Sequence, residues 1–325
     1  MQTHRKPAAP EPMAGFPQEV TIIEVGPRDG LQSEPQWVES KDKIALVNGL
    51  IEAGLRHFEV TSFVSPRAVP QMRDASEVLA GIDRSRGAVL TALVPNVKGA
   101  ERAVEAGIDA MVVFMSASES HNRKNVNRSR QQSLEGFRDI CRIADEAGIA
   151  VQGAIATAFG CPFEGDIAVG DVVDIARAYR DMGITTISLG DTTGMATPLL
   201  VQERCRALKA EVPEANITLH FHNTRGVGLV CVYAGLIEGV TRYEASIGGL
   251  GGCPFAPKAT GNICTEDLIY MLDECGVRSG VDLARLIKVS RQAETIIGRQ
   301  LPGQLMKAGP RLELHGMDAV ATANG

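Results

Sequence analysis

A chain of 325 residues with 44% apolar and 22% charged residues has material for one large α/β barrel or two smaller domains. Its formal net charge of −6 argues against a surface for nucleic acid or anionic lipid, since both require clustered Lys and Arg. No window reaches the roughly 18 continuous apolar residues of a membrane span, and seven dispersed cysteines with no close C-x-x-C pair point to reduced thiols in a cytoplasmic setting.

In chain order, residues 1–17 carry Pro7, Pro10, Pro12 and Pro17 but no apolar signal-peptide core, so they are expected to form a flexible tail. From there a strand–helix rhythm begins. Strand-like runs are expected at 20–25, 57–63, 88–94, 111–114, 149–152, 184–189, 217–221 and 240–247. Five of them follow an acid-plus-glycine helix ending: Glu52-Ala53-Gly54, Glu105-Ala106-Gly107, Glu146-Ala147-Gly148, Asp181-Met182-Gly183 and Glu238-Gly239. Glycine just past a helix supplies the left-handed cap. Between the runs the apolar spacing is helical, as in Ile44, Val47, Leu50 and Ile51. Eight such units predict a (β/α)₈ TIM barrel over 18–300 rather than an open sheet, which would carry a glycine-rich fingerprint after its first strand. A helix is expected from Ile287 to about Arg299. Pro302, Gly303 and Pro310 then mark 301–325 as a C-terminal extension outside the barrel.

The C-terminal ends of barrel strands carry the chemistry. The first ends in Glu24-Val25-Gly26-Pro27-Arg28-Asp29, where Arg28 and Asp29 are either a surface ion pair or site residues. The second holds Glu59 and Ser62, and a carboxylate inside a β-run needs a partner if it is buried. The sixth ends in Ser188-Leu189-Gly190-Asp191, with Asp191 equally a helix cap or a site carboxylate. The seventh carries His220-Phe221-His222, which puts two of the six imidazoles on one strand face, able to converge on one ion. Asn262 is a further candidate. With Asp29 this gives a mixed N/O donor set suited to Mg²⁺ or Mn²⁺ rather than structural zinc. A divalent ion beside an Arg suits carbon–carbon cleavage or formation next to a carbonyl. The run Gly248-Gly249-Leu250-Gly251-Gly252-Cys253-Pro254-Phe255 reads either as a tight strand-to-helix turn or as a mobile loop carrying a reactive thiol.

Taken together, 25–32 (Val-Gly-Pro-Arg-Asp-Gly-Leu-Gln), 61–66 (Thr-Ser-Phe-Val-Ser-Pro), 188–192 and the glycine–cysteine loop resemble the 3-hydroxy-3-methylglutaryl-CoA lyase family over about 20–290. The loop is the specific element; the Arg-Asp and His-X-His elements are shared with isopropylmalate and homocitrate synthases. The resemblance implies that Asp29, His220, His222 and Asn262 hold the cation, that Arg28 stabilises a thioester enolate, and that Glu59 completes an Arg-Asp-Glu set. It implies proton transfer by Cys253. Glu24, Ser62, Ser188, Asp191 and Glu266 become supporting pocket residues, and Lys124 and Asn125, in a polar loop after the fourth strand, become candidates to meet CoA phosphates. An acyl-CoA substrate and a homodimer are also implied. The family's usual His-X-His-Asp-Thr-Tyr-Gly reads here His220-Phe221-His222-Asn223-Thr224-Arg225-Gly226, and Lys258 stands where uncharged residues are commoner. These departures open two alternatives: a related lyase such as one for citramalyl-CoA, and a synthase joining acetyl-CoA to a keto acid.

Overall fold

The helix-to-strand joints turn where glycine permits it. Gly54, Gly107, Gly148, Gly183 and Gly239 hold φ between 68° and 109°, a region that a Cβ makes costly. In the computed structural model, which describes residues 11–252 and 261–313, these joints feed a barrel of eight parallel strands. They are β1 (Thr21–Glu24), β2 (His57–Ser62), β3 (Val89–Leu93), β4 (Ala110–Ser116), β5 (Ala150–Ala156), β6 (Thr186–Asp191), β7 (Asn216–Phe221) and β8 (Arg242–Ala245). Neighbours pair in sequence order and β8 closes on β1.

The helices between strands are α1 (Ser40–Glu52), α2 (Ala75–Gly81), α3 (Val97–Glu105), α4 (Glu119–Val126), α5 (Arg130–Ala147), α6 (Val169–Arg180), α7 (Pro198–Glu211) and α8 (Gly228–Ile237), with α3 packed on α5 rather than on the short α4. After β8 come α9 (Thr265–Glu274), α10 (Leu283–Ile297) and the short α11 (Leu305–Ala308). The apolar core fills the layer between barrel and helices, with Phe58, Leu90, Tyr179, Leu219 and Tyr243 fully buried. One contact there depends on a missing side chain: a Cβ on Gly153 of β5 would lie 2.5 Å from the Tyr179 ring.

Two local expectations are revised. Residues 118–125 are helical rather than a loop, because Ser118 Oγ accepts the His121 N–H and starts α4. The last strand stops at Ala245, where Ser246 N–H donates to Ile263 O and Ile247–Gly249 turn away as a 3₁₀ segment. The chain after α10 fastens that turn: the Gly303 N–H donates to Gly248 O (3.2 Å), Leu301 packs on Gly248, and Leu305 N–H donates to Asp267 Oδ1 (2.8 Å). Among the described residues, no helix is long and apolar enough to cross a membrane.

Candidate metal centre and active site

Arg28 and Asp29 sit on a single π-helical turn, Gly26–Gly30, at the end of β1. Such turns are rare and recur at functional sites. Here the turn is held from beneath by Glu24. Its Oε1 accepts the Gly26 N–H (2.7 Å) and the Ile247 N–H (2.9 Å), while Thr265 Oγ1 donates to Oε2 (2.7 Å). Arg28 Nη1 donates to Asp29 Oδ1 at 2.8 Å, and its Nε lies 2.5 Å from Glu59 Oε1 on β2. Burial opposes the guanidinium charge, yet Glu59 and Asp29 outweigh it, so Arg28 is held even more firmly cationic than usual. Burial likewise raises Asp29, but Arg28, His220 and His222 prevail and bring its carboxyl down to about 2.

Across the barrel, His220 and His222 converge as period-two placement predicts. Their Nε2 atoms are 3.1 Å apart, and His222 Nε2 is 3.9 Å from Asp29 Oδ2. Asp29, His220 and His222 form a group whose potential ligand atoms all lie within 4.8 Å of one another. Burial, reinforced by His220, lowers His222 to about 4 and so keeps it a neutral donor. Asn262 joins through Nδ2, which donates to Asp29 Oδ2 (2.8 Å) and Leu250 O (3.0 Å), while its Oδ1 is buried without a partner among the described residues. These residues fit a hard divalent cation. An orphaned carbonyl oxygen, a carboxylate and two imidazoles meet, and three carboxylates (Asp29, Glu59, Glu244) face one guanidinium, a net −2 when all are ionised.

Arg28, Asp29, Glu59, Ser188, His220 and His222 line a cavity of about 920 Å³ whose opposite wall is largely apolar, with Leu93, Val112, Phe114 and Ala154. Asn125 lines it too. Lys124 does not; its ammonium sits 4.7 Å from the centre of the Phe163 ring. Ser62 is buried on β2 outside the lining. Asp191 is turned inward to the backbone, Oδ1 accepting the Met195 and Ala196 N–H groups of the turn ahead of α7, so it caps no helix: the N-cap of α7 is Thr197. Glu266 is fully buried and accepts the Gly248 N–H at 3.0 Å, holding the turn rather than facing the cavity. Burial pushes Glu24 up to about 7, Asp191 to about 6 and Glu266 to about 8. Cys253 and Lys258 lie outside the described residues; Gly251 and Gly252, just before them, line the cavity.

Sequence reasoning missed Glu244. It sits on β8 directly opposite His220 in register, with Oε2 2.8 Å from His220 Nδ1. The alternation Arg242-Tyr243-Glu244-Ala245, which turns two charged residues to one face, was the available signal.

Comparison with known proteins settles the lineage. Residues 19–292 match the HMGL-like family model. The chain belongs to the HMGL-like family. Hydroxymethylglutaryl-CoA lyase YngG of Bacillus subtilis is 45% identical over 289 residues, covering 89% of this chain and 97% of the relative. The 3-hydroxy-3-isohexenylglutaryl-CoA/hydroxymethylglutaryl-CoA lyase of Pseudomonas aeruginosa is 41% identical, covering 90% and 98%. Among solved structures, an HMG-CoA lyase from Acinetobacter baumannii in complex with coenzyme A and 3-methylmalate superposes with a TM-score of 0.88 at 45% identity, covering 92% of this chain and 98% of that one.

Within this HMGL-like barrel, the departures at 223 and 225 have structural explanations. Asn223 Oδ1 accepts the Gly228 N–H (3.1 Å) at the start of α8. Arg225 Nη1 donates to Thr193 O (3.1 Å) and Gly194 O (2.6 Å). Neither residue lines the cavity.

Proposed function

We propose that this HMGL-like protein is a divalent-metal-dependent carbon–carbon lyase that cleaves 3-hydroxy-3-methylglutaryl-CoA to acetyl-CoA and acetoacetate. The observation that carries the reading is the convergence of Asp29, His220 and His222 beside Arg28 in one cavity. The outward use of Asn223 and Arg225 favours this substrate over citramalyl-CoA, because neither departure changes the wall that a C3 substituent would touch.

Asp29, His220, His222 and Asn262 would hold Mg²⁺ or Mn²⁺, which when bound supplies the positive field that favours loss of the substrate's 3-hydroxyl proton. The chain's residues do the rest. A base takes that proton, the freed oxygen pair forms the ketone C=O, and the C2–C3 bonding pair leaves as the enolate of acetyl-CoA. Arg28, fixed by Glu59 and Asp29, supplies preorganised positive charge to the enolate oxygen. Cys253 delivers a proton to the enolate carbon, a task open to a thiol, whose ordinary pKa lies near 8.5. The reading also carries a homodimer and a cytoplasmic location; the described cysteines are all free thiols, as a reducing compartment requires.

The test is a cleavage assay over a panel of 3-hydroxyacyl-CoA esters with Mg²⁺ and Mn²⁺. Acetoacetate and acetyl-CoA should form from 3-hydroxy-3-methylglutaryl-CoA, activity should vanish with EDTA, and either ion should restore it. A higher kcat/KM for citramalyl-CoA, or net condensation of acetyl-CoA with a keto acid, would replace this assignment.

A further inference from the structure

We propose that Glu244 is the positioning residue of the metal centre: it holds His220 by Nδ1 across the β7–β8 register and so presents Nε2 to the seat shared with His222 and Asp29. This rests on the metal-dependent reading above.

The backbone makes the pairing. His220 and Glu244 are register partners on adjacent strands, and the residues flanking Glu244, Tyr243 and Ala245, are fully buried on the outer side. Residue 244 therefore points into the barrel. Glu244 Oε2 lies 2.8 Å from Nδ1, and an ionised carboxylate only accepts, so the Nδ1 position carries a proton and Nε2 is the nitrogen left facing the seat. That Nε2 lies 3.1 Å from His222 Nε2. The Ser188 hydroxyl, from β6, is close enough to Glu244 to favour its ionised form and so braces it in turn. The two imidazoles are supported differently: His222 Nδ1 is buried without a hydrogen-bond partner among the described residues, and its residue is held by a backbone bridge to Asn262. Among the described residues, only the His220 ring is within hydrogen-bond distance of a carboxylate, which sets the proton on Nδ1 and the ring orientation. Residues that orient a metal-bound histidine in this way typically contribute 10- to 100-fold to metal affinity.

The experiment titrates Mn²⁺ into purified full-length wild type, Glu244→Gln and Ser188→Ala by calorimetry, and records ¹⁵N spectra of the metal-free histidines. In Glu244→Gln, the Mn²⁺ dissociation constant should rise by about 10- to 100-fold with Tm held within about 2 °C. The wild-type His220 signal should report the Nδ1–H tautomer, and the variant a mixture. Ser188→Ala should show a smaller loss of the same kind, and decides the matter if Glu244→Gln does not fold. Mn²⁺ affinity within twofold of wild type in both variants, or an unchanged His220 tautomer in Glu244→Gln, overturns the proposal. A wild type that binds no Mn²⁺ instead overturns the metal-dependent reading itself.

Discussion

At the scale of single residues, the site is arranged so that Arg28 never acts alone. Glu59 and Asp29 fix its guanidinium within a buried network, which keeps it charged and oriented before substrate arrives. The proton that completes turnover must come from another group, and Cys253 follows Gly251 and Gly252 of the cavity wall by only one or two residues. Replacing Cys253 with serine should therefore lower kcat/KM by about 10²- to 10⁴-fold, the range for a lost general acid or base. Mn²⁺ affinity should stay within about twofold of wild type, because no proposed ligand is touched. Steady-state kinetics beside a calorimetric metal titration measure both; near-normal turnover would remove the thiol from the mechanism.

At the scale of elements, strand and helix placement follows from chemistry local to each joint, whereas the pairing of side chains across the barrel does not. Glycine caps and alternating apolar runs locate all eight strands, and the two-residue spacing of His220 and His222 puts both imidazoles on the cavity side. Glu244 escaped because its partner is 24 positions away and only the register of β7 with β8 brings them together. Asp191 was legible as an acid at a strand end, but whether it serves the cavity or the backbone depends on how the next five residues turn back onto it. Packing of helix on strand is equally non-local. Gly153 on β5 lets the Tyr179 ring of α6 lie flat on the strand, and Tyr179 Oη then donates to Ala154 O at 3.0 Å. A methyl at 153 would lie 2.5 Å from that fully buried ring. Gly153→Ala should thus cost about 1–3 kcal/mol as an overpacked core, seen as a Tm lowered by roughly 2–4 °C. Thermal unfolding tests this, and Tyr179→Leu in the same chain should recover part of the loss. A Gly153→Ala variant as stable as wild type would mean the helix shifts away freely.

At the scale of the whole molecule, the segment joining barrel to C-terminal helices is anchored by two buried carboxyls. Glu24 ties the β1 turn to Ile247 and Thr265, and Glu266 holds the Gly248 N–H beneath the 301–303 segment. Burial dominates both groups, raising Glu24 to about 7 and Glu266 to about 8 from an ordinary 4.5, despite the hydrogen bonds that favour their charged forms. The native state therefore holds protons that the unfolded chain releases between pH 4.5 and 8. Wherever the folded state binds more protons, stability falls as pH rises. The contribution is fully present below pH 4.5 and is lost as pH rises through the folded values. Glu266→Gln keeps an oxygen for the Gly248 N–H and removes the titration. It should therefore shift the whole stability curve by a constant amount and flatten its decline toward alkaline pH. From pH 5 to pH 8.5 the Tm of Glu266→Gln should rise relative to wild type by roughly 3 °C, corresponding to ~2 kcal/mol after allowing for relaxation of the buried site. Asp29, with its carboxyl held near 2, works in the opposite sense and only below about pH 4, so it leaves this window undisturbed. A Tm difference between variant and wild type that stays constant from pH 5 to pH 8.5 would show that Glu266 is already ionised in the fold, with a counter-charge or water beside its second oxygen.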